Sequence, residues 1–256
     1  MKADIKEYDL APEILKILLL DRTTQHNILW GCEDYAYPAT SPIQFSQIID
    51  GTVIIPRFEK AQHISNGRKK KKAEVFTPIE IVKLQNDMTD KHFNGKWDDY
   101  VKQTVLEVTC GEAPYLVNRY DVSSGETLLL RERQGMLDRK LAQISNNISE
   151  VEQWKQYAIV ALKATYGFEW QGDSLLLARE SIIEAWKDYF YQKFPYEVIT
   201  LEEEKEVAKI ISYNIFQMDG ITGCIPYSNI PSKVMNWETN NMEFFNPTIG
   251  LQLNMF

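Results

Sequence analysis

The sequence predicts an α/β fold built on a doubly wound sheet, and three observations predict it. Short apolar runs at Val105–Val108, Tyr166–Trp170 and Asn214–Gly220 each carry an acid at or near the carboxyl end, namely Glu107, Glu169 and Asp219. Long segments with apolar residues at helical spacing separate the runs, the alternation expected of a parallel sheet. The first run passes directly into Thr109-Cys110-Gly111, small and turn-forming residues of the kind that bring backbone N–H groups to a ligand at a strand tip.

Composition sets the limits. With 256 residues, 44% of them apolar, the chain is long enough for one substantial core or a core plus a small appendage. No apolar stretch approaches the roughly 20 residues of a membrane helix, since Ile14–Leu20 contains Lys16 and stops at Asp21. The charged start, Met-Lys-Ala-Asp-Ile-Lys-Glu, has no cleavable apolar core, so a cytoplasmic protein is expected. Cys32, Cys110 and Cys224, like His26, His63 and His92, are dispersed, and neither a disulfide framework nor a metal site is expected. A net charge of −8 argues against coating nucleic acid by bulk electrostatics and leaves room only for a local basic groove.

Taken in order, residues 9–20 read as a short helix, with Asp9 as cap, Pro12 in the first turn and Ile14, Ile17 and Leu18 on one face. Asn27–Trp30 and Gly51–Pro56 read as short strands, which makes residues 1–70 a small α/β appendage to a main domain over 71–256. Between Arg57 and Lys83 eight positive residues face three acids, and the run Arg68, Lys69, Lys70, Lys71 and Lys72 is expected to meet phosphates. Thr77 is placed to cap and Pro78 to begin a helix in which Ile81, Leu84 or Gln85, and Met88 recur at helical spacing.

After the glycine turn, Leu116 and Val117 are spaced to open another helix, and Gly135–Ser145 and Val151–Ala164 read as two more. The separation of Leu116 from Tyr166 exceeds a simple strand–helix–strand unit, so a helical insertion is expected. Leu175, Ala178, Ile182, Trp186 and Tyr189 mark a long helix after the second strand, and Glu202–Glu206 an acidic helix start before the third. Glu203-Glu204-Lys205 has the Glu-x-Lys half of a metal-dependent nuclease motif, but no acid-bearing strand precedes it at suitable spacing.

Together these motifs resemble the S-adenosylmethionine-dependent N6-adenine DNA methyltransferases. The cofactor loop of that family runs acidic-x-x-Cys-Gly-x-Gly-x-aromatic-Leu, and Glu107, Cys110, Gly111, Tyr115 and Leu116 match it in register. Ala113 replaces the second glycine and Pro114 follows; alanine disfavours a backbone with φ above zero, so a stiffer, less well shaped loop is expected. Phe76-Thr77-Pro78 stands about 30 residues upstream, in the order the family uses.

The resemblance implies a Rossmann-like methyltransferase sheet binding S-adenosylmethionine. Phe76 and Thr77 would line its methionine end, and Glu107, Cys110, Gly111 and Tyr115 would form its loop. Glu169 would take the ribose hydroxyls, and Asp219 would accept from the adenine amine. The likeness stops at the chemistry. No Asp/Asn-Pro-Pro-aromatic tetrapeptide occurs, and Asn246, in Asn246-Pro247-Thr248-Ile249, is the nearest catalytic candidate. The chain, including Leu18–Gly31, Ile54–Lys60 and Glu107–Asp121, also resembles short methylation or restriction-endonuclease subunits of bacterial restriction–modification systems, which implies an origin in DNA modification, with double-stranded DNA and a second subunit as partners, but does not imply turnover in this chain. Two readings stand: an adenine-specific DNA methyltransferase, or a non-catalytic cofactor- or DNA-binding subunit whose partner carries the catalytic residues.

Overall fold

The structure, a computed structural model, describes residues 10–59 and 77–245. At its centre three parallel strands, β1 (Val105–Glu107), β2 (Thr165–Glu169) and β3 (Ile215–Gln217), pair in the order β1-β2-β3, with Glu107 opposite Gly167 and Glu169 opposite Gln217. Side chains alternate across a sheet. One face therefore carries Val105, Glu107 and Ile215, and Val105 and Ile215 join the main helical core. On the opposite face Phe168 and Phe216, with Met218 just past β3, form a smaller cluster packed by Leu106, Val234 and Phe245. The last two come from the antiparallel hairpin β4 (Lys233–Asn236) and β5 (Asn241–Phe244) and the residue after it.

Eight α-helices surround this frame among the described residues: α1 (Pro12–Leu19), α2 (Phe45–Ile49), α3 (Ile79–Asp90), α4 (Trp97–Lys102), α5 (Met136–Asn147), α6 (Val151–Lys163), α7 (Gly172–Lys193) and α8 (Leu201–Asn214). In α7 the apolar residues run around most of the helix, and Leu175, Leu176, Leu177, Ile182, Ile183, Trp186 and Phe190 are all buried, as expected of a helix inside the core. It starts at Gly172 for a steric reason: a Cβ there would lie 2.0 Å from the Leu29 carbonyl oxygen. Thr200 and Glu203 cap α8 reciprocally, and Glu202–Glu204 complement the positive end of its dipole. No described helix is long and apolar enough to cross a membrane.

The N-terminal segment differs from its reading. Neither Asn27–Trp30 nor Gly51–Pro56 is a strand; only isolated bridges form, Leu20 with Asn27 and Leu29 with Pro42. Backbone groups that a strand partner would satisfy are met by a side chain instead. The Gln217 amide accepts from Leu29 N–H at 2.7 Å, donates to Leu29 C=O at 2.9 Å and donates to Trp170 C=O at 2.7 Å. The described part of residues 1–70 shares the main core, where Ile14, Leu15, Leu18 and Leu19 of α1 pack against α8. Ala11 stands at the N-cap of α1, and Asp9 lies outside the described residues.

Two further expectations give way to polar anchors. Thr77 caps nothing; the free N–H of Ile79 at the start of α3 is taken by Asp121 Oδ2 at 3.2 Å. On the same helix Ile81, Leu84 and Met88 face outward while Val82 and Asn86 are buried. Asn86 turns inward because its amide satisfies two loop carbonyls, Tyr115 at 3.1 Å and Gln134 at 2.8 Å, and unpaired buried carbonyls outweigh the transfer of half-exposed apolar side chains. Nor does a helix open at Leu116. A single turn closes on the Ala113 carbonyl, after which the Asn118 side chain binds Pro114 C=O at 2.6 Å and its backbone N–H binds Asp138 Oδ2 at 2.7 Å, turning the chain away. The connection from β1 to β2 runs through α5 and α6.

Candidate functional site at the strand tips

Because the strands are parallel, their carboxyl ends meet at one edge of the sheet. Glu107 ends β1, Glu169 ends β2 and Asp219 lies two residues past β3. The register gives all three the same parity, so the residues that precede them share a face. Hydrogen bonds beyond the strands tie the tips together: Cys110 N–H donates to Phe168 C=O at 2.8 Å and Met218 N–H to Glu169 C=O at 3.0 Å.

The loop after β1 is unusual in its backbone. Thr109, Gly111 and Ala113 have φ of 51°, 56° and 59°, so every second residue is left-handed and two of the three carry a Cβ. Ala113 thus adopts the conformation that alanine was expected to exclude. Its methyl is completely buried, and the fold imposes a strain of about 1 kcal/mol that such residues accept chiefly at ligand clamps and active sites. The loop grips a neighbour: Gly111 N–H donates to Glu169 Oε2 at 2.7 Å, while Gln171 N–H donates to Glu169 Oε1 at 3.1 Å. These two bonds set the orientation of the Glu169 carboxylate at the tip of β2.

Opposing terms predict the response at Ala113. Glycine would relieve the strain but lose one buried methyl, about 0.8 kcal/mol, and add freedom to the unfolded chain. Ala113→Gly is therefore expected to fall within about 0.5 kcal/mol of the parent in urea unfolding, whereas Ala113→Val, a branched side chain at positive φ in a filled space, should lose about 3 kcal/mol.

Glu107 is the least satisfied of the three acids. Its Oε1 accepts Tyr115 N–H at 3.3 Å, and its Oε2 is buried with no hydrogen-bond partner among the described residues. Burial pushes its carboxyl well above the usual range, the Tyr115 and Leu116 amides oppose this, and the nearby Glu169 charge adds to it. Asp219 is differently used: Oδ1 accepts Ile221 N–H and Oδ2 the Thr222 hydroxyl, both at 2.8 Å, so its carboxylate shapes the Asp-Gly turn.

Cys110 is buried at the foot of the loop, where a Cβ on Gly167 would lie 3.3 Å from its sulfur. The Tyr115 hydroxyl donates to Gln85 on α3, which carries the ring toward that helix, and only its backbone serves Glu107. Thr77 is half-buried ahead of α3. Phe76, Arg68, Lys69, Lys70, Lys71, Lys72 and Asn246 lie outside the described residues.

The structure adds residues that sequence reasoning passed over. Glu112, next to the loop glycine, is buried and accepts the Tyr120 hydroxyl at 2.7 Å; an acid directly after the glycine was the available signal. Cys32, Asp34 and Asp173 bring a thiol and two carboxylates within 4.8 Å of one another, from a loop and the first turn of α7. Their separation in sequence hid this grouping. No family model matches the chain, and no curated protein or solved structure matches it either.

Proposed function

We propose that the chain is an S-adenosylmethionine-dependent, adenine-specific DNA methyltransferase component of a restriction–modification system, requiring a partner chain for turnover. The observation that carries this reading is the strand-tip arrangement: carboxyl residues at or just past the ends of three adjacent parallel strands, the first two joined by a strained glycine loop. The crevice outside the carboxyl ends of such a sheet is where nucleotide-like ligands bind. The residues fit the cofactor at two points. Glu107 Oε2, buried without a hydrogen-bond partner among the described residues, offers an acceptor to a ligand donor; Glu169 would take ribose hydroxyls from the tip of β2 through lone pairs beyond those that already accept Gly111 N–H and Gln171 N–H. Asp219 fits less well, since its carboxylate is folded back on its own turn, accepting Ile221 N–H and the Thr222 hydroxyl. When bound, the cofactor would supply an electrophilic methyl group for an adenine amine.

The missing Asp/Asn-Pro-Pro-aromatic tetrapeptide favours a second reading, a subunit that holds cofactor or DNA while a partner supplies the acceptor groups. Isothermal titration with S-adenosylmethionine tests what the two share. Binding is expected, with Glu169→Gln weakening it about 10-fold or more, the effect of removing charge-assisted acceptors. Absence of binding would remove the cofactor from both readings. Incubation with DNA and labelled methyl donor separates them, because label appearing in DNA from this chain alone would exclude the non-catalytic subunit and, with it, the requirement for a partner.

A further inference from the structure

A cleft lies apart from Glu107, Glu169 and Asp219. Asp90 at the end of α3, Phe93 and Gly95 in the following loop, Trp97 and Tyr100 on α4, and Arg139 and Gln143 on α5 line an open cleft of about 350 Å³, room for a nucleoside-sized ligand. Its charges are already paired. Arg139 binds Asp90 Oδ2 at 2.5 Å and Asp87 Oδ1 at 2.7 Å and donates to Gln134 C=O at 3.1 Å, while the Tyr100 hydroxyl donates to Asp90 Oδ1 at 3.0 Å. A strongly charged ligand would have to break this network.

What remains is aromatic surface and two neutral polar groups. Phe93 meets Tyr100 edge-on with centroids 5.2 Å apart, and Trp97 leans on Tyr157 at 5.0 Å, so both half-buried rings are held in place. The Gln143 amide, one turn beyond Arg139 on the same face of α5, and the Trp97 indole N–H make no hydrogen bond among the described residues. A primary amide pairs bidentately with an adjacent donor and acceptor on a planar ring edge, and aromatic rings stack on its face. We infer that this cavity is a nucleobase site, taking one base against Phe93 and Trp97 with its edge on the Gln143 amide.

A free nucleoside and an unpaired base in single-stranded nucleic acid present the same chemistry, so the test has two arms. The full chain is titrated calorimetrically with each nucleoside and with a short single-stranded oligonucleotide. Binding of at least one nucleoside is expected. Trp97→Ala should weaken it about 10-fold, in line with one lost stack, and Gln143→Ala several-fold. Glu169→Gln should leave it in place, which separates this cavity from the strand tips. Tighter binding of the oligonucleotide assigns the site to nucleic acid, and tighter binding of the nucleoside assigns it to the free ligand. Gln143 is exposed and its variant folds on any reading, so it carries the test if Trp97→Ala unfolds. The inference is overturned if nothing binds at about 10 mM, if binding survives Gln143→Ala unchanged, or if Glu169→Gln abolishes it.

Discussion

Arg179→Met is expected to lose about 3–5 kcal/mol in urea unfolding, and to melt about 10 °C below the parent. Arg179 sits on α7 with no exposed surface, and no carboxylate binds it directly. Instead it donates to four backbone carbonyls: Leu18, Leu20 at 3.1 Å, Ser212 at 3.3 Å and Ile215 at 2.7 Å. These belong to the end of α1, the end of α8 and the start of β3, so one guanidinium joins three segments far apart in the chain. Burial draws its pKa down to about 9, opposed by Asp21, and it is still charged at neutral pH. Methionine would fill much of the space and remove the buried charge, yet it leaves four buried oxygens without donors. That second effect wins, because unsatisfied acceptors keep their full desolvation penalty. Lysine should rescue little, since one ammonium cannot match a planar fork with five donors. An Arg179→Met protein as stable as the parent would show that water replaces the guanidinium.

Glu107→Gln should raise stability at neutral pH and, if the strand tips hold S-adenosylmethionine, weaken that binding about 10-fold or more. Its folded pKa is raised above the unfolded value near 4.5, so between the two the folded state retains a proton that the unfolded chain has released. Its contribution to stability is therefore full below about pH 4.5 and is lost as pH rises toward the folded value. Glutamine resembles the neutral acid and lacks this slope. Melting curves at pH 4 and pH 7.5 should nearly coincide at the lower pH and separate at the higher, by on the order of 1 kcal/mol. A parallel pH dependence in both proteins would mean the carboxylate is compensated where it lies. The pairing of higher stability with lost binding is the signature of a site, as against a core residue, whose loss lowers both.

How much of this was legible depended on whether apolar pattern or polar anchoring decides a segment. The strands ending at Glu107 and Glu169, the long helix through Leu175 and Trp186, and α5, α6 and α8 follow the sequence periodicity because burial sets their orientation. The inverted face of α3 was illegible, since Asn86 faces inward to meet carbonyls whose position depends on residues 29 and 48 places away. The absent N-terminal strands have the same cause, with Gln217 standing in for a neighbouring backbone from 188 residues downstream. At the candidate site the order of the acids could be read, but the left-handed Ala113 and the commitment of Asp219 to its own turn could not, because both follow from closing the loops in three dimensions.

The Gln217 amide also bears on how the chain reaches its folded state. Leu29 meets its partner only after another 188 residues have been added, and Gly172 N–H must likewise arrive before Trp30 C=O is paired. During synthesis Ile14, Leu15, Leu18 and Leu19 emerge well before their packing surface on α8. Contacts so remote in sequence slow folding and leave an early apolar helix uncovered for the length of translation, a natural client for chaperones that shield nascent chains.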